Sequence, residues 1–279
     1  MQQSKRCLSV FLAVAVALAL FGAQRACLAA DNAVQILEQR QGETVSLVAK
    51  LTNALDVTMT VSGDLENLTP STPLPTTIDS DGKPEVPIVS LHVVDRTKPY
   101  KYSYRISWKP GGRQKGEPHP YDYALPYKDG PHRVRQGFLG AFSHYTGSQD
   151  EYAIDWTMPI GTEIYAARAG TVSAFRSDVE DGGPNNKYKA DYNYIVIRHE
   201  DGTYAEYLHL DRDGVKVSLG DKVTQGQLIG VSGNTGFTSE PHLHFAVFNT
   251  VSGTLRKTVP IRFFLSSGKR VTVQEGRSY

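Results

Sequence analysis

The sequence predicts an all-β protein of two domains, and three observations carry that prediction. Apolar and polar residues alternate over many strand-length segments. Glycine and proline punctuate those segments at short intervals, and helical periodicity is scarce throughout the 279 residues.

The amino terminus is read apart from the fold. A basic start (Lys5, Arg6) leads into an apolar run of 17 residues, Cys7 to Ala23, and then to the small residues Ala26, Ala29 and Ala30. This order is that of a secretory signal peptide, so residues 1–30 are expected to be removed, with cleavage near Ala29 or Ala30. An uncleaved anchor is the alternative, but the run is short against the ~20 residues of a membrane span. Both cysteines, Cys7 and Cys27, fall in this leader, so the exported chain would fold without disulfides. Of the 30 Lys and Arg, the leader takes Lys5, Arg6 and Arg25, which leaves 27 against 29 acidic residues. A nucleic-acid binder would carry a strong basic excess, so that class is excluded. No second apolar run is long enough to span a bilayer. The expectation is a periplasmic or secreted protein, soluble after cleavage.

Residues 31–108 are expected to form a small antiparallel, sandwich-like β domain. Val45, Leu47, Ala49 and Leu51 lie at alternate positions, as do Val57, Met59 and Val61, and Tyr102, Tyr104, Ile106 and Trp108. Thr69 to Pro87 is rich in Pro, Thr and Ser and reads as a long loop. Residues 109–132 are rich in Gly and Pro and read as a linker, or as a strap lying on one of the domains. His119 and His132 within it are expected to be ordinary loop histidines. Strand signals resume over 133–262, and 263–279 reads as a carboxy-terminal tail.

Chemistry is expected only in the second domain. In Glu240-Pro241-His242-Leu243-His244-Phe245, a strand would present His242 and His244 on one face, with Leu243 and Phe245 turned into a core. Neutral imidazole is the commonest metal ligand, though two histidines so spaced are also common as a plain surface pair. In Tyr207-Leu208-His209-Leu210, His209 would share a face with Tyr207. A polar loop from His144 feeds the apolar strand Tyr152-Ala153-Ile154-Asp155-Trp156, where a carboxylate is costly unless paired or bound to a cation. His144, Asp155 and His244 would make a three-ligand zinc site with a fourth position open, and His209 and His242 could flank it as acid/base groups.

Four segments then resemble, in order, the catalytic domain of the lysostaphin/LytM-type zinc endopeptidases. They are a His followed by Asp155-Trp156; Pro159-Ile160-Gly161-Thr162 through Ala167 with Gly170-Thr171-Val172; Tyr207-Leu208-His209-Leu210; and Pro241-His242-Leu243-His244-Phe245. Gly220-Asp221-Lys222-Val223, Gly226 to Gly230 and Gly233-Asn234-Thr235-Gly236 are also typical. The resemblance covers well under half the chain. It implies a β-sheet metallopeptidase domain with a groove, Zn2+ held by His144, Asp155 and His244, and His209 and His242 as the catalytic pair. It also implies peptidoglycan stem peptides or cross-bridges as substrate, a D,D-endopeptidase being favoured over a glycyl-glycine endopeptidase. One departure stands out: ten residues separate His144 from Asp155, a longer spacing than the family's most compact form, and Asp150 is a competing carboxylate. Ser177 to Tyr192 and Ser232 to Glu240 are expected as opposite walls of the groove, and His199 as structural.

The rival reading is a non-catalytic relative that activates cell-wall amidases or binds the wall. Such a protein should lack one or more of the five polar residues. A biotinyl- or lipoyl-like carrier domain would need an exposed hairpin lysine, which the corresponding turn lacks, and the histidines would then have no role.

Overall fold

The computed structural model describes residues 33–113, 120–189 and 191–279; the expected signal peptide and His119 lie outside them. The chain divides into two compact units. One comprises the described residues up to Lys109 together with Ser252–Thr254, and the other comprises Pro110–Val251 and Leu255–Tyr279. Among the described residues the only helical element is a single 3-10 turn, Asn186–Tyr188, and no helix is long and apolar enough to cross a membrane.

The first unit holds β1 (Val34–Gln41), β2 (Thr44–Leu51), β3 (Val57–Glu66), β4 (Leu68–Pro70), β5 (Thr76–Asp79), β6 (Glu85–Val93) and β7 (Lys101–Pro110). They form two sheets, ordered β1-β2-β6-β4 and β5-β3-β7. Val45, Leu47, Ala49 and Leu51 of β2 are buried, as are Val57, Met59 and Val61 of β3, so the alternation read in the sequence marks the buried faces. The stretch Thr69 to Pro87, expected as a long loop, instead contributes to β4, β5 and β6. Its threonines are β-branched and suit a pleated surface, and Pro87 is tolerated where the β2–β6 register shifts, since no regular ladder hydrogen bond is required of it there.

The second unit is built on a ten-stranded sheet. Its strands and their companions are β8 (Asp122–Tyr123), β9 (Arg133–Gln136), β10 (Ile154–Thr157), β11 (Glu163–Tyr165), β12 (Gly170–Arg176), β13 (Gly182–Gly183), β14 (Asn193–Arg198), β15 (Tyr204–Val215), β16 (Lys222–Val223), β17 (Leu228–Ser232), β18 (Gly236–Phe237), β19 (His242–Thr250), β20 (Arg256–Thr258), β21 (Arg262–Phe264) and β22 (Arg270–Val271). The main path runs β16-β12-β14-β15-β19-β10-β9. β15, β19 and β10 are therefore neighbours, although β10 and β19 lie some ninety residues apart in sequence.

One face of this sheet packs on a core of Trp156, Tyr207, Phe245 and Phe263, all fully buried. Their rings meet edge-on or tilted at 5.1–6.1 Å between centroids. Burial of each such side chain contributes on the order of 2–3 kcal/mol. The core also takes Tyr123 and Tyr127 from the Gly/Pro-rich segment, and Phe263 and Val273 from beyond the main sheet. β8 pairs with β21, which ties those two segments together.

Candidate metal centre

Alternation along β10 and β19 decides which side chains leave the core. With Trp156, Leu243 and Phe245 facing inward, Asp155, His242 and His244 must face the other way. Register then brings them together: Asp155 pairs with His244, Thr157 with His242, and Leu208 of β15 with His244 from the other side.

His209 reaches the same face by a different route. Regular alternation would leave it on the same face as Tyr207, as the sequence suggested, and Tyr207 lies in the core. Instead the β14–β15 register shifts at this point, and His209 takes a left-handed φ of 64°. The bulge lets both Tyr207 and Leu210 enter the core while the imidazole turns to the site. Its carbonyl is anchored by the Gly233 N–H at 3.0 Å, where a Cβ on Gly233 would lie 2.5 Å from backbone atoms of Asp211. A non-glycine residue in the left-handed region is strained, and such strain gathers where geometry is demanded by function.

His144, Asp155 and His244 are all buried, and one ligand atom from each lies within 4.8 Å of the others. Asp155 Oδ1 is 2.9 Å from His244 Nδ1, 3.5 Å from His144 Nε2 and 4.0 Å from His242 Nε2. The other carboxylate oxygen, Oδ2, accepts a hydrogen bond from Gln136 Nε2 at 2.7 Å. The same amide group engages Ser143, the residue before His144: Nε2 donates to Oγ at 3.1 Å, and Oε1 accepts from the backbone N–H at 3.1 Å. The long insertion between His144 and Asp155 is thereby clamped at its start, and His144 returns to the centre despite the spacing. Asp150 lies on the Glu206 side of His244, paired with the Arg256 guanidinium.

His209 and His242 lie side by side, 4.5 Å between ring centroids. His209 Nδ1 is 2.7 Å from the Thr235 carbonyl, and His242 Nδ1 is 2.8 Å from the Glu240 carbonyl and 3.1 Å from Thr238 Oγ1. A carbonyl can only accept, so both Nδ1 atoms donate and each neutral ring keeps its lone pair on Nε2. Burial pushes the His209 pKa down to about 3, helped by the neighbouring His242 and His244. Burial also lowers His144, against the pull of Asp155.

The residues fit a divalent cation. Both ring nitrogens of His144 are buried without a hydrogen-bond partner among the described residues, a cost that a cation on one lone pair would lessen. The pocket is also short of positive charge. Burial resists a charge on His244, yet the carboxylates of Asp155 and Glu206 beside it push its pKa up to about 10. Asp155 is held well below the usual carboxylate range: burial opposes its charge, and the hydrogen bond and charges of the surrounding histidines overcome it.

All five residues singled out in the sequence thus converge on one site. Gln136, Thr235, Thr238, Glu206 and Arg256 were not singled out. Glu206 could have been found, since it is an acid within an apolar strand, the same signal that marked Asp155. The walls also differ from expectation. Ser177 to Tyr192 and Ser232 to Glu240 are not opposite each other: β13 pairs with β18, Gly182 with Gly236 and Gly183 with Phe237, so the two loops form a single wall. From it, Tyr192 stands 5.9 Å from the His209 ring.

Residues 149–256 match the profile of Peptidase family M23, a span that holds Asp155, His209, His242 and His244 but not His144. The peptidoglycan DD-endopeptidase ShyA of Vibrio cholerae is 42% identical over 91 residues, 33% of this chain and 18% of that protein. Lysostaphin of Staphylococcus staphylolyticus is 37% identical over 119 residues, 42% of this chain and 22% of that protein. The chain thus spans about a fifth of the length of these curated relatives. A solved structure of the catalytic domain of lysostaphin from Staphylococcus simulans is 28% identical, covering 50% of this chain and 85% of that one, at a TM-score of 0.29. With the profile match and these relatives, the second unit of this chain contains a peptidase family M23 domain of the lysostaphin/LytM type.

Proposed function

We propose that the protein is an exported zinc metalloendopeptidase that hydrolyses peptide cross-links of bacterial peptidoglycan. The observation that carries this reading is the convergence of three buried ligand atoms, from His144, Asp155 and His244, beside two histidines that present bare Nε2 atoms. His144, Asp155 and His244 would hold the ion. When bound, zinc supplies Lewis-acid polarisation of a carbonyl and makes a water more acidic.

The chain's own groups do the rest. His209 and His242 are oriented by the 232–240 loop to accept a proton at Nε2 and to return it to the leaving amine. Once protonated, either ring can donate to the developing oxyanion. Gln136 keeps Asp155 turned inward, and the wall made by the two paired loops bounds the site beside His209.

Among bonds, we favour the D,D cross-link of stem peptides, because ShyA, named a peptidoglycan DD-endopeptidase, is 42% identical where it aligns and lysostaphin 37%. The basic, apolar and small-residue order of residues 1–30 supports export to the periplasm or beyond. The test is digestion of purified sacculi by the protein and by His244→Ala, with products read by mass spectrometry. Monomeric muropeptides released from cross-linked dimers by the native protein alone are expected. No release by a sample carrying stoichiometric zinc would overturn the proposal.

A further inference from the structure

Behind His244 lies a group of charges for which the reaction above has no use. Glu206 of β15 is buried, Arg256 of β20 is partly buried, and the Arg256 guanidinium bridges Glu206 and the partly buried Asp150. His244 sits between this group and Asp155. Its Nδ1 faces Asp155 Oδ1 at 2.9 Å, and its Nε2 faces Glu206 Oε1 at 3.4 Å. Among the described residues, neither that Nε2 nor that Oε1 has any other hydrogen-bond partner, and both are buried. A closure of a few tenths of an ångström would satisfy both atoms at once.

Asp150, Glu206 and His244 also lie close enough together to suggest a second cation site. Arg256 argues against it. Its guanidinium already pairs with both carboxylates, and a metal there would have to leave that partly buried guanidinium unpaired, which is unfavourable.

We propose that Glu206, held in place by Arg256, is a positioning residue for His244. Its Oε1 accepts the Nε2–H of the imidazole, which fixes the tautomer and leaves the Nδ1 lone pair turned toward Asp155 and the ion. The inference rests on the metal centre proposed above. A carboxylate on the far nitrogen of a metal-bound histidine raises the ligand's basicity and restricts its rotation, and loss of such a partner costs about 10–100-fold in metal affinity.

The experiment measures zinc affinity by competition with a chromophoric chelator for the native chain, His244→Ala, Glu206→Gln and the double variant Glu206→Leu/Arg256→Met. Long-range nitrogen–proton NMR of the zinc-loaded native chain is recorded in parallel. The double variant removes Glu206 and Arg256 together, so neither of these two is left without the other, and Asp150 is the one carboxylate that loses its guanidinium partner. The expected result is zinc binding weakened about 10–100-fold in the double variant and by less in Glu206→Gln, which keeps an oxygen acceptor. NMR should show His244 protonated at Nε2. Affinity within twofold of native in both Glu206 variants, or His244 protonated at Nδ1, would overturn the inference. If a variant does not fold, the NMR result on the native chain decides. Failure of the native chain itself to bind zinc is a different result, and it would remove the metal centre rather than the role of Glu206 alone.

Discussion

Gln136 donates from Nε2 to Asp155 Oδ2 at 2.7 Å, and with the same amide it grips Ser143, the neighbour of His144. One neutral side chain therefore orients one candidate ligand and anchors the loop that delivers another. Gln136 and Asp155 are cross-strand partners in the β9–β10 pairing, so the sheet itself sets their distance.

Gln136→Leu should consequently act on the metal before it acts on the fold. Loss of a hydrogen bond to a buried carboxylate costs roughly 1.5–3 kcal/mol, and zinc affinity should fall by about 10–100-fold. Chelator competition and urea melts read the two effects. Unchanged zinc affinity would mean that the clamp has no part in the centre.

His209→Ala and His242→Ala should each keep stoichiometric zinc and lose cleavage by about 10²–10⁴-fold, the range for a positioned acid or base. Metal analysis alongside muropeptide release separates the roles. A zinc-free His242→Ala protein would move His242 into the ligand set.

Gly182→Ala should open the wall beside the site. A Cβ at Gly182 would lie 1.9 Å from the Asn234 carbonyl oxygen, a backbone atom that cannot swing aside, so the β13–β18 pairing must separate. KM for a cross-linked dimer should rise several-fold, while zinc content and melting temperature stay near native. Equal KM would show that substrate does not use this wall.

The fold should weaken in mild acid through His199. Burial lowers its pKa to about 4 from an ordinary 6.5, while its Nδ1 is held by the Ala169 carbonyl at 2.9 Å. Between those values the unfolded chain binds a proton that the folded chain refuses. Stability is therefore full above about pH 6.5 and is lost as pH falls toward 4, by on the order of 3 kcal/mol at most. His209 is shifted in the same direction, so the clean reading is the stability of the native chain minus that of His199→Gln, both metal-free, across pH 4–8. A pH-independent difference would contradict the assignment.

Much of the site was legible because its signals are local. Two histidines two apart on a strand must share a face, and an acid in an apolar strand must find a partner. Asp155, His242 and His244 follow from those facts, and the resemblance in motif order supplied His144 and His209. The residues that hold them were not legible in the same way. Thr235 and Thr238 use one carbonyl and one hydroxyl, groups that a glycine-rich loop offers at many positions. Arg256 is a cation on a short strand like many others until β20 is laid beside β19.

The sequence by itself determined the β class of the chain, the strand faces and the residue types able to bind a cation, because side-chain alternation is a property of a single strand. The tertiary structure alone decided that β10, β15 and β19 are neighbours, that a bulge at His209 breaks the alternation, and that two loops expected to face each other form one wall. Each of those depends on register and pairing between distant segments, which are set by the packing of the whole sheet rather than by any one strand's pattern.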